Sequence, residues 1–97
     1  MEAKKTVWSI FRDYVNSMAI GGLITRQDIL DYIKVEIDSF SAATVDCNRN
    51  MSEKVGYLAK TNKSGIYRVV KHFAADYTVS QLRKDYDNGS RNNSNED

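Results

Sequence analysis

SAATVDCNRNMSEKVGYLAKTNKSGIYRVVK, residues Ser41–Lys71, is the stretch that decides the fold. Ser41 suits an N-cap, because its hydroxyl can accept from the free N–H groups of a first turn. A helix is expected over Ala42–Val55, with Val45, Met51 and Val55 as a loose apolar set and Cys47 marginal. Asn48 and Ser52 fall near its inward face, where large apolar residues are more usual. At about 100° per residue, Asp46, Arg49, Asn50 and Glu53 are expected to point outward. Gly56 sits where a helix ends in the left-handed conformation. Tyr57–Lys60 then reads as a strand, Thr61–Gly65 as a turn, and Ile66–Phe73, rich in β-branched and aromatic residues, as a second strand.

The same stretch holds the positive charge. From Ser41 to Phe73 the cations Arg49, Lys54, Lys60, Lys63, Arg68 and Lys71 face only Asp46 and Glu53, a balance of +4. Residues 1–40 sum to −1 and residues 74–97 to −2, so the total of +1 hides a basic middle.

Toward the N-terminus, Val7, Ile10, Phe11, Tyr14, Val15 and Met18 recur at helical spacing, giving a first helix from about Thr6 to Ala19 with Thr6 as its cap. Trp8 flanks that stripe, and these aromatics are expected in the core. Gly21-Gly22 ends the element, and Leu23-Ile24 is long enough only for an edge strand or bridge. Thr25-Arg-Gln-Asp28 has capping-box spacing, with Asp28 in place of Glu or Gln. A second helix follows to about Val35, with Ile29, Leu30 and Ile33 inward and Asp28, Asp31 and Glu36 on a solvated face. Toward the C-terminus, Thr78 can cap a short helix whose apolar face is Val79, Leu82 and Tyr86. From Asn88 onward NGSRNNSNED is polar and simple, so residues 88–97 are expected as a disordered tail and residues 1–87 as one domain.

The composition narrows the function. A chain of 97 residues, 41% hydrophobic and 28% charged, suits one globular domain. One cysteine, Cys47, excludes an internal disulfide framework and fits a reducing cytosol, and the first residues are not a signal peptide. No apolar run approaches the ~20 residues of a membrane span. Cys47 and the lone His72 are too few for a structural zinc site, which takes four ligands. No Gly-rich phosphate loop and no nucleophile–base constellation can be assembled. The expectation is a non-enzyme with no cofactor, no metal and no small-molecule ligand.

The element order, and the strings TVDCNRN, KVGYLAKT and SGIYRVVK, resemble the winged helix-turn-helix DNA-binding domains, particularly the small bacterial and phage members. The resemblance covers about Thr6–Phe73. It rests most on Ser41-x-x-Thr44-Val45, Gly56-Tyr57-Leu58 and Gly65-Ile66-Tyr67 at their mutual spacing. It implies an α+β, mainly helical fold: a winged helix with a three-helix core, a β-hairpin wing and a short C-terminal helix. It also implies a cytoplasmic, nucleoid-associated protein, or one acting in an infected host cell, that binds double-stranded DNA as a small transcriptional regulator, as a dimer if copies pair through an outer helix.

A helix fits the major groove, where base edges carry a readable donor and acceptor code. On that reading Ala43 permits close approach, Arg49 takes guanine, Asn50 takes adenine and Asp46 accepts from cytosine. Thr44 meets a phosphate or thymine methyl, and the N–H groups from Ser41 onward hold a phosphate. Lys60, Lys63 and Arg68 follow the backbone or enter the minor groove, while Arg26 and Gln27 position phosphates. Two features depart from the pattern: the polar Asn48 and Ser52 at inward positions, and the acids Asp46 and Glu53, which repel phosphate. The acids, with the weak net charge of +1, favour a second reading, a winged-helix adapter that binds protein, since fold does not fix function. A third reading, single-strand or RNA binding by Tyr57 and Tyr67, needs those tyrosines exposed.

Overall fold

The computed structural model describes residues 6–95, with side chains described through residue 88. It is a small α+β domain, mainly helical, with a three-stranded antiparallel sheet. Helix α1, Val7–Ser17, starts on Thr6, whose hydroxyl accepts from Ser9 N while Ser9 Oγ accepts from Thr6 N, a reciprocal cap. Its stripe of Trp8, Ile10, Phe11 and Val15 is buried. After Met18 the chain turns through Gly21, at φ 90°, into strand β1, Leu23–Thr25. Thr25 then caps helix α2, Arg26–Glu36, by accepting from Asp28 N at 3.0 Å, and Ile29 and Ile33 face the core.

Helix α3, Ala42–Val55, has the expected bounds. Ser41 is its N-cap residue but makes no side-chain cap bond. Gly56, at φ 116°, ends it, and the N–H groups of Gly56 and Tyr57 both donate to Ser52 O. A side chain at that φ would be strained, so glycine fits the position. Asn48 and Ser52 are buried on the inward face as the sequence places them. The Ser52 hydroxyl donates to Asn48 O at 2.8 Å, so its polar atom is satisfied within the helix.

Strands β2, Leu58–Lys60, and β3, Ile66–Val69, form the hairpin. Its turn is organised by Thr61 Oγ1, which donates toward Ile66 O and accepts from Lys63 N, and by Gly65 at φ 81°. The sheet order is β1-β3-β2. Leu23, Arg68 and Ala59 align across one rung, and Ile24, Tyr67 and Lys60 across the next. Ile24, Tyr67, Val69 and Leu58 face the helices and are buried, while Leu23 and Arg68 lie on the outer face.

The second strand stops at Val69 rather than continuing to Phe73. Past Val69 the neighbouring strands no longer supply partners on both sides. Asn16 on α1 replaces them: its amide donates to Phe73 O at 3.0 Å and accepts from Phe73 N at 2.8 Å. The chain is thereby drawn out of the sheet, and Phe73 enters an aromatic cluster with Trp8, Phe11, Tyr57 and Tyr77. Trp8 is in the core, as expected of these aromatics; its indole N–H donates to Tyr77 O at 2.9 Å. Burial, and then the hydrogen bond to Asp85, push the Tyr77 phenol well above its ordinary value.

Helix α4 spans Val79–Asn95, capped by Thr78 Oγ1, and packs on α3. Its backbone is helical through most of the stretch expected as a tail, with Glu96 and Asp97 outside the described residues. Leu82 is its one fully buried side chain among the described residues. Leu82→Ala is expected to lower unfolding free energy by about 2–5 kcal/mol, read as a lower urea midpoint. An unchanged midpoint would mean that α4 is not part of the cooperative unit.

Candidate nucleic-acid interface

The orientation of α3 decides what the domain can touch. Its inward positions are Val45, Asn48, Met51 and Ser52. The opposite stripe is Ala43, Cys47, Asn50 and Lys54, at i, i+4, i+7 and i+11; Thr44, in phase with Asn48 and Met51, is open to solvent in the first turn. Ala43, Thr44, Cys47 and Lys54 are exposed and Asn50 is half-buried. Cys47, marginal by sequence, belongs to the outward stripe.

Arg49 and Glu53 do not point outward as expected, while Asp46 stays partly exposed and turns to Arg26 on α2. Arg49 and Glu53 line the seam between α3 and the hairpin, where β2 packs on that flank and Tyr67 of β3 meets Arg49. The Arg49 guanidinium lies over the Tyr67 ring, 4.7 Å from its centre. Only 15% of the Arg49 side chain and 11% of the Glu53 side chain are exposed, and their charged atoms stand 3.7 Å apart. Arg49 Nε and Glu53 Oε1 are buried without a hydrogen-bond partner, so charge and the tyrosine face hold this pair. Lys60 reaches Glu53 at 3.8 Å from the next strand. Arg49 is therefore a poor guanine reader. The i, i+4 pairing of Arg49 with Glu53 is present, but on a packed flank rather than a solvated face.

The seam continues to α2. Arg26 Nε donates to Asp46 Oδ1 at 2.9 Å and Nη2 to Oδ2 at 3.1 Å. The hydrogen bond from Arg26 holds the Asp46 carboxyl below its ordinary value, and the same bond raises Arg26. Asp46, engaged in this way, is not free to accept from cytosine. Charges thus alternate along the seam as Arg26, Asp46, Arg49, Glu53 and Lys60, joining α2, α3 and β2.

The remaining sequence candidates fall in four places. Ser41, Ala43 and Thr44 are exposed at the start of α3, beside the stripe. Gln27 is exposed on α2, with its amide given to Asp31. Lys63 is exposed at the hairpin turn, beside a cavity of about 280 Å³ lined by Lys60, Thr61, Lys63, Ser64 and Tyr67. Arg68 lies apart from these, on the outer sheet face opposite Leu23. Two cations of the basic middle were not among the candidates: Lys54, whose place follows once the α3 phase is known, and Lys71, which lies 4.7 Å from the Tyr57 ring centre. Tyr67 is buried and Tyr57 stacks on Phe73, so neither offers a free face for bases. His72 is exposed, with Nε2 2.6 Å from Met18 O.

Among the described residues no group of three His, Cys, Asp or Glu is placed to hold a metal ion, and no helix is long and apolar enough to cross a membrane. No protein-family model, no curated protein and no solved structure matches the chain.

Two outcomes follow from the seam. Arg49→Ala leaves the mostly buried Glu53 carboxylate with only the exposed Lys60 as a partner and is expected to cost about 1–3 kcal/mol in urea unfolding. A midpoint equal to that of the unchanged chain would show that the pair adds nothing. Asp46 has a folded-state value lowered from 3.8. Its contribution is present in full above that ordinary value and is lost as pH falls through the lowered one. The unchanged chain should therefore be more stable than Asp46→Asn at neutral pH, and the two urea midpoints should converge in strong acid.

Proposed function

We propose that the chain is a winged-helix domain that binds double-stranded DNA in a sequence-specific way, with α3 in the major groove and the hairpin as the wing beside it. One observation carries this reading: the outward stripe of α3 presents the small or polar Ala43, Cys47 and Asn50 and ends on the cation Lys54, while Arg49 and Glu53 are packed against the basic hairpin. Such a stripe lets a helix approach base edges closely, and a β2–β3 hairpin that follows three helices and pairs with the short β1 supports the winged arrangement. The readers in this arrangement are Thr44, Cys47 and Asn50, with Asn50 suited to adenine. Arg26, Lys54 and Lys63 supply the phosphate contacts, and Arg68, on the far face of the sheet, does not. A small transcriptional regulator of bacterial or phage origin is the role this activity suits.

A protein-binding adapter is the second reading. The exposed apolar side chains Leu23 and Val70 on the outer sheet face, with Ile20 preceding β1, favour it.

Selection from a pool of random duplexes at two salt concentrations separates the two. The DNA reading expects an enriched motif whose retention falls as salt rises, because phosphate contacts release counterions. Asn50→Ala should relax preference at one base pair, a loss of about 1–3 kcal/mol of discrimination. Lys63→Ala should weaken all sequences alike and make the log–log salt slope shallower by about 0.9. Absence of retention even at low salt would overturn the DNA reading and leave the adapter.

A further inference from the structure

Arg26 stands where α2, α3 and the hairpin meet. Its own N–H donates to Gly65 O at 2.9 Å, which ties its backbone to the wing turn. Its guanidinium lies side-on to Asp46, using Nε and one N–H of Nη2. The fork has a second edge, made of Nη1 and the other N–H of Nη2, and these make no hydrogen bond to the described residues. The Arg26 side chain is 45% exposed, so that edge has access to solvent. A guanidinium edge with two parallel N–H groups matches two oxygens of one phosphate.

On the DNA-binding reading above, we propose that Asp46 is a positioning residue for Arg26: it accepts one edge of the guanidinium and so presents the other edge to a backbone phosphate of duplex DNA. Asp46 then reads no base. A free arginine loses considerable rotamer freedom when it docks, and a side chain already held in its docking geometry loses less. The acid is unfavourable to DNA as a charge and favourable as a support, and the two effects have opposite signs in binding.

That opposition gives the test, a double-mutant cycle on the full chain with a duplex enriched by the unchanged protein. Asp46→Asn is expected to weaken binding about three- to five-fold when Arg26 is present. On an Arg26→Ala background the same change should leave binding equal or tighter, since only phosphate repulsion is removed. Tighter or unchanged binding by Asp46→Asn with Arg26 present overturns the role, as does an equal weakening in both backgrounds. Arg26→Lys keeps the charge and loses the fork. It should weaken binding by a similar factor; affinity equal to that of the unchanged chain overturns the role, and this arm decides alone if Asp46→Asn fails to fold. A lack of DNA retention by the unchanged chain overturns both this role and the DNA-binding reading. Retention with the wrong sign for Asp46→Asn overturns the role alone.

Discussion

Strand β3 is the constraint on which the domain depends. It is four residues long and pairs with β1 on one side and β2 on the other. β1 lies between the first two helices in sequence, and β2 follows the third, so this strand closes the longest loop of the sheet. Its alternation sends Tyr67 and Val69 to the helices and Arg68 away from them. A slip of one residue would reverse that assignment, exposing Tyr67 and burying Arg68. Both the core and the charged seam therefore rest on one register.

Tyr67 links the two. Its ring belongs to the buried core, and it is also the surface on which Arg49 lies. The seam is thus an extension of the core by polar means rather than a decoration of the surface. The basic middle of the chain carries six cations against two acids, yet both acids lie in the seam and engage Arg26, Arg49 and Lys60. The cations left for a partner are fewer than the sequence balance suggests, and they are spread over different faces: Lys54 on α3, Lys63 at the turn, Arg68 on the outer sheet.

Much of the fold was legible because it rests on local signals. Thr6, Thr25 and Thr78 mark helix starts by capping chemistry, Gly56 marks a stop, and Thr61–Gly65 marks the hairpin. The bounds of α3 were readable for the same reason. Its rotation was not. Val45, Met51 and Val55 leave the phase loose, and nothing in the sequence tells that β2 and β3 cross the flank holding Arg49 and Glu53. The burial of Asn48 and Ser52 was the useful clue: placing them firmly inward moves Cys47 and Lys54 outward. The ends of β3 and α4 were misplaced for opposite reasons. Ile66–Phe73 has strand-like residues throughout, but the pairing partners run out at Val69. Asn88–Asn95 has the composition of a tail, but it continues a helix already capped and anchored by Leu82.

The contact between Asn16 and Phe73 bears on how freely this sequence can drift. A side-chain amide there imitates a neighbouring strand, with one donor and one acceptor placed to match a single residue's backbone. Aspartate has the right length but no donor at neutral pH, glutamine has both groups one methylene too far out, and serine is too short to span the gap. Relatives of this chain, however divergent elsewhere, would be expected to keep asparagine at this point of the first helix or to reroute the path into the last one. The position is a fingerprint set by geometry.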